Sequence, residues 1–206
     1  MAASYWHIIL HWVITHPLAS YTAIFFIALS ESLAIVGLLI PGTFLLISIG
    51  ALVGSGGLSW QITMFLATLG AIAGDGISYW LGWRYQQHIK TFWPLRNYPG
   101  LVARGEMFFQ RHGGKSVFLG RFIGPIRPII PLVAGMLQMP TPYFICVNVF
   151  SAIIWAGAYM FPGVLLAGWL QALAADGRQF AALAALLMVL LWLSYHLSKF
   201  ILRINE

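Results

Sequence analysis

The chain has 206 residues, 60% of them apolar and 8% charged, and eleven Lys and Arg against five Asp and Glu leave a formal net charge of +6. Soluble domains carry roughly 25% charged residues, so a water-facing globular surface cannot be built from this composition; a mean hydropathy of +0.85 also excludes a solvated, disordered chain. Nine Trp, eight Tyr and fourteen Phe suit a bilayer protein whose amphipathic rings sit at headgroup depth, and the composition reads as an integral membrane protein.

The elements follow in chain order. Residues 1–16 are apolar with His7, His11 and His16, which reads as an interfacial or short helix. No Lys or Arg precedes Arg84, so the charged flank of a signal peptide is missing and this segment is expected to be retained. A spanning helix needs about 20 apolar residues. Leu18 to Ile40 is long enough but contains Glu31 and ends at Pro41-Gly42, and Thr43 to Val53 is apolar but only about half the length. Gly54, Gly56 and Gly57 make a turn, and Trp60 to Trp83 is a full span. Arg84 to Lys115 is polar, broken by Pro94, Pro99 and Gly113-Gly114. Ser116 to Met139 is apolar again but carries Arg121, Arg127 and three prolines. Tyr143 to Leu170 and Phe180 to Leu202 are two further spans, joined by the loop Gln171 to Gln179.

Orientation follows from Lys and Arg in the loops. Six of them lie in Arg84 to Lys115 (Arg84, Lys90, Arg96, Arg104, Arg111, Lys115), and the tail adds Lys199 and Arg203. Basic residues placed between apolar segments indicate membrane orientation rather than nucleic-acid binding. With the 84–115 loop and the C-terminus in the cytoplasm, the last two spans form an out-and-back hairpin. Segment 116–139 must then return to the side it entered, as a re-entrant element. The first half has a counterpart near 31–53, also interrupted by a Pro-Gly pair. Two broken segments at corresponding places suggest an inverted repeat with a midplane site. The expected fold is therefore an all-α, polytopic bundle, a single membrane domain with two opposed re-entrant hairpins.

Four ionisable residues fall inside apolar stretches: Glu31, Asp75, Arg121 and Arg127. Each is costly at bilayer depth and should face a cavity with a partner. Two acids and two bases allow mutual neutralisation, and a purely structural staple is the plain alternative to a functional site. Arg121 and Arg127 are six residues apart, roughly 240° around a continuous helix, so they would point to different faces. Gly124-Pro125 breaks that helix. Pro125, Pro128 and Pro131 recur every third residue, the period of polyproline II, and Arg127, preceding Pro128, is pushed toward extended geometry. Such a turn can bring both guanidinium groups to one spot, and two arginine forks match a phosphate. For Glu31, an apolar pocket favours the neutral carboxyl and a nearby arginine the charged one. A proton-exchanging group and a permanent ion pair therefore both remain open. Asp75 follows Gly70 and Gly74, a small-xxx-small face for close helix packing, and an arginine of the second broken segment is its natural donor.

The run from Glu31 to Pro41-Gly42, the Gly70–Gly82 stretch, and Gly-Arg-Phe-x-x-Pro-x-Arg-x-x-x-Pro-x-x-Ala-Gly from Gly120 to Gly135 together resemble the DedA family of bacterial inner-membrane proteins. The same domain type occurs in eukaryotic lipid scramblases. The resemblance covers about residues 20 to 165. It implies two facing re-entrant hairpins and transport of polyprenyl phosphate (undecaprenyl phosphate) or phospholipid, coupled to protons, with Glu31, Arg121 and Arg127 at functional positions. Two departures stand out. Thr43 replaces an acid that many members carry after the Pro-Gly, which weakens a two-carboxylate proton relay. Gln86 stands where the family often has glycine.

An intramembrane lipid-phosphate enzyme is the rival class. Arg127-Pro128 superficially resembles one basic clamp of the acid-phosphatase type, yet the position seven residues earlier is Gly120 rather than Lys. The chain has no Pro-Ser-Gly-His and no Gly-x-Ser-x-Gly elbow, and Asp75-Gly76 stands alone. His7 and His11 could share a helical face but have no third ligand nearby, so no metal and no cofactor are expected. Cys146 reads as a small buried residue. A passive scramblase would share the cavity and arginines but need no titrating acid. The expectation is a lipid-phosphate carrier. Arg121 and Arg127 bind the headgroup, Glu31 and Asp75 serve the proton side, and Pro41, Gly42, Gly124, Pro125 and Pro128 make the breaks. Its partners are protons, a lipid phosphate headgroup and anionic lipids at the basic loop. Nucleic acid is not among them, and a homo-oligomer remains open.

Overall fold

The computed structural model describes residues 11–34, 36–38, 42–86, 88, 96 and 99–173. His7, Pro41, Lys90 and the expected C-terminal span 180–202 lie outside the described residues.

The first helix, α1 (Pro17–Ser32), opens on a proline, where no intrahelical N–H is required, and ends where Leu33 turns extended. A 3-10 turn (Val36–Leu38) leads to α2 (Gly42–Gly54), and α3 (Trp60–Tyr85) follows after a short connection. The register of α1 on α3 is fixed at several levels. Ser59 N–H donates to Tyr21 Oη at 3.0 Å near the start, and Ala34 N–H donates to Ser78 Oγ at 2.9 Å near the end. Between them Gly70 abuts Phe25 and Ala28, and Gly74 abuts Leu29 and Ser32, so closely that a Cβ would strike the α1 backbone. The small-xxx-small reading of these glycines holds. Helices α1 and α3 thus run in the same direction, and α2 is the return limb. The end of α1 sits at the level of Ser78, short of the Tyr85 end of α3.

The second half approaches α3 from its Tyr85 end. Helices α4 (Pro99–His112) and α5 (Lys115–Gly120) precede a 3-10 turn (Gly124–Ile126), then α6 (Ile129–Met136) and the long α7 (Thr141–Leu173), which contains Pro162. Gly114 packs on the ring of Tyr143, near the start of α7. Arg121, at the end of α5, reaches Asn148 and Ser151 deeper along it. Helix α6 then returns along α3 toward its Tyr85 end: Gly82 lies on Leu132, Gly135 on Tyr79 and Trp83, and Tyr79 Oη donates to Met139 O at 2.6 Å.

Two helices among the described residues, Trp60–Tyr85 and Thr141–Trp169, are long and apolar enough to cross a bilayer. Helix α7 packs antiparallel to α3, with Asn148 Nδ2 donating to Ile72 O at 3.2 Å, and parallel to α2, with Gly50 on Met160 and Gly54 on Val164. A core of Ile24, Ala28, Leu46, Ala71, Trp155 and Met160 joins α1, α2, α3 and α7. Large apolar side chains point outward along the same helices, among them Phe26, Phe65, Ile145 and Phe161.

Several sequence expectations are corrected. Cys146, read as a small buried residue, is exposed on the outer face of α7. The proline triplet Pro125-Pro128-Pro131 does not form polyproline II. A period of three also fits a 3-10 turn, which residues 124–126 adopt, and Pro131 is the third residue of α6, where its missing N–H has no intrahelical acceptor to lose. Arg127 is not extended but αR (φ −46°, ψ −56°), held by its N–H donating to Ile123 O at 2.9 Å and by an ion pair through its side chain. The 84–115 segment is also more than a polar loop. Arg84 and Tyr85 belong to α3, and α4 buries Val102, Gly105 and Phe108, with Gly105 against Ile129 and Val133 of α6.

Candidate functional site

The two breaks meet. Gly37, in the turn after α1, lies against Pro128, and Arg127 pairs with Glu31, near the end of α1. One layer away Arg121 pairs with Asp75. The sequence-predicted charges are therefore brought together as two ion pairs, and the donor expected for Asp75 is Arg121. Asp75 is about 15 residues, or roughly 23 Å of helix rise, from the Trp60 end of α3. Trp155 is the midpoint of the apolar stretch Thr141–Trp169 of α7. The constellation sits deep between the ends of both long helices.

Trp155 is the element both arginines share. The Arg127 Cζ lies 4.3 Å from the centroid of its ring and the Arg121 Cζ 5.8 Å, within cation–π range. The ring itself is fully buried. Both cations therefore lie against one buried indole.

The two pairs differ in how far they are satisfied. Arg121 uses all four of its terminal N–H groups: Nη1 donates to Asn148 O at 3.2 Å and Ser151 Oγ at 3.0 Å, and Nη2 to Asn148 Oδ1 at 3.1 Å and to Asp75. Arg127 spends one donor on Glu31 Oε1 and makes one long contact, 3.4 Å, to Ser32 Oγ. Its side chain is 12% exposed against 3% for Arg121. Glu31 Oε2 is buried and has no hydrogen-bond partner among the described residues. A buried carboxylate oxygen without a donor is costly, and a proton or an incoming donor would relieve it. The Glu31–Arg127 side of the site has capacity left over; the Asp75–Arg121 side has none.

Asn148, Ser151 and Trp155 were not singled out by sequence reasoning. Their signal was available: at i, i+3 and i+7 they lie on one face of a helix, a polar stripe in an otherwise apolar span. Of the predicted break residues, Gly42 starts α2, Gly124 starts the 3-10 turn, and Pro128 is buried against Gly37.

Residues 40–165 match the VTT domain family. The chain is 38% identical over 155 residues to the inner membrane protein YabI of Escherichia coli, covering 75% of this chain and 61% of that protein. It is 33% identical over 173 residues to an uncharacterized membrane protein of Mycobacterium tuberculosis, 75% of this chain and 74% of the relative. To protein DedA of Escherichia coli it is 30% identical over 151 residues, 69% of this chain and 67% of that protein. The chain thus spans about three-fifths of the length of YabI, and no solved structure matches it. The matched domain contains α3, most of α7 and three of the four paired charges, and the chain belongs to the VTT-domain, or DedA, family of membrane proteins.

Proposed function

We propose that the protein carries a lipid phosphate across the bacterial inner membrane, undecaprenyl phosphate or a phospholipid, in a proton-coupled cycle that supports envelope lipid recycling. In this reading the C-terminus is cytoplasmic, and the α1–α2 and α5–α6 excursions are opposed re-entrant hairpins related as an inverted repeat. Support comes from their course: each returns toward the end it started from, and their turns touch at Gly37 and Pro128. Arg127 supplies the fork for the phosphate, Arg121 adds its charge from a fixed position, and Asp75 holds Arg121 in place.

The observation that carries this reading is the half-satisfied Glu31–Arg127 pair. An arriving phosphate competes for the Arg127 fork with bidentate geometry. Glu31, released from its cation in a dry pocket, takes up a proton. Departure of the phosphate re-forms the pair and releases that proton. Headgroup binding and protonation are thereby linked through one arginine.

Purified protein in vesicles with labelled lipid phosphate tests this. Flux driven by an imposed pH gradient, and made indifferent to that gradient by Glu31→Gln, is the expected result. The ion pair itself favours one other reading, a passive scramblase in which Glu31 only neutralises Arg127. That version requires gradient-independent flux in both directions. Release of free phosphate from the lipid would instead indicate an enzyme and refute both.

A further inference from the structure

A groove of about 410 Å³ runs down the outside of the molecule between α5 and α7. Its walls are Phe118 and Leu119 on one side and Cys146, Val147 and Phe150 on the other, with Lys115 and Tyr143 at one end. Toward its deeper end the rings of Phe118 and Phe150 stack at 6.1 Å. From Tyr143 to Phe150 the groove follows α7 for about 10 Å of helix rise. It uses the 143/146/147/150 face, adjacent to but separate from the 148/151/155 face that holds Arg121.

The depth of the charged end can be read from its neighbours. Gly114, next to Lys115, lies on Tyr143. Thr141, two residues before Tyr143, bonds Tyr79 Oη at 3.0 Å. On the same stretch of α3 the exposed aromatics Trp80 and Trp83 form a belt of the kind that marks headgroup level. Lys115 therefore stands at the interface, exposed and without a carboxylate partner among the described residues, while the rest of the groove descends into hydrocarbon.

We propose that this groove is a lipid-binding site, in which one hydrocarbon chain of a phosphate-bearing anionic lipid lies along Phe118, Val147 and Phe150 and its headgroup rests on Lys115. An apolar trough open to the membrane is filled by acyl chain rather than water, and its volume lies in the range of ligand sites. The selectivity for an anionic head comes from the unpaired ammonium, a point charge that suits a phosphate without needing a fork. The site goes beyond the carrier reading and does not depend on it, because no residue of the two ion pairs lines it.

Cys146 lies in the groove wall, is exposed, and is the one cysteine of the chain, so it reports occupancy directly. The full chain in maltoside detergent is treated with a small maleimide while phosphatidylglycerol or phosphatidylcholine is titrated in, and modification is followed by intact mass. Phosphatidylglycerol should slow the reaction saturably and phosphatidylcholine should not. Lys115→Gln should require about fivefold more phosphatidylglycerol, the worth of one interfacial basic residue, and Lys115→Arg should restore it. Arg127→Lys should leave protection unchanged, which separates this site from the transport reading. Equal protection by both lipids, or an unaltered Lys115→Gln variant, overturns the proposal. So does a Cys146 already unreactive without lipid, which would mean that the chain itself or a second copy covers the groove.

Discussion

The two buried ion pairs share one tryptophan yet are built to different degrees of completion. Arg121 is walled in: four acceptors from α3 and α7 answer its four terminal N–H groups. Arg127 leaves two terminal donors unanswered among the described residues and faces a carboxylate with one orphaned oxygen. Net charge is cancelled in both, so neutralisation cannot be what distinguishes them. A saturated pair resists any change of partner, because every exchange leaves a buried donor unmet. An unsaturated pair already carries part of that penalty, so the exchange costs it less.

The sharpest way to break this contrast is to remove the acid of each pair. Asp75→Ala strands a fully enclosed cation and should lower stability by about 3–5 kcal/mol, whereas Glu31→Ala, beside a partly exposed arginine, should cost clearly less. Unfolding midpoints in detergent would compare them, and equal losses would erase the distinction. Next come the arginines themselves. Arg127→Lys should cut lipid flux about tenfold or more with the unfolding midpoint retained, since a point ammonium cannot present a fork; Arg121→Lys should lower the midpoint instead. The smallest effect lies in the serines. Ser151→Ala deprives Arg121 of a buried acceptor and should cost about 1 kcal/mol, while Ser32→Ala, whose contact to Arg127 is 3.4 Å, should fall within measurement error.

Much of this site was legible in the sequence, because charge inside an apolar run is conspicuous and must be paired. Glu31, Asp75, Arg121 and Arg127 were found that way, and the small residues at Gly70 and Gly74 declared a close helix contact. The geometry of the break was not legible. Prolines at every third position fit polyproline II and a 3-10 turn alike, and the choice fell to tertiary partners of Arg127. Helix α4 was hidden because its polar and glycine content lowers its apparent helicity, although Val102, Gly105 and Phe108 keep one face on α6. Gln86, which stands where the family often has glycine, caps α3 with φ 45°, a conformation that glycine adopts without strain.

The glycine-lined crossings invert the usual map of mutational tolerance. In a water-soluble protein the outer surface is polar and the bulky interior is the sensitive part. Here Phe26, Phe65 and Ile145 face outward, where any greasy residue serves the lipid equally well. Gly50, Gly82 and Gly135 touch backbone on the opposing helix, where even alanine does not fit. The fragile positions of this molecule are its smallest residues, and drift in its sequence is free to accumulate among its largest.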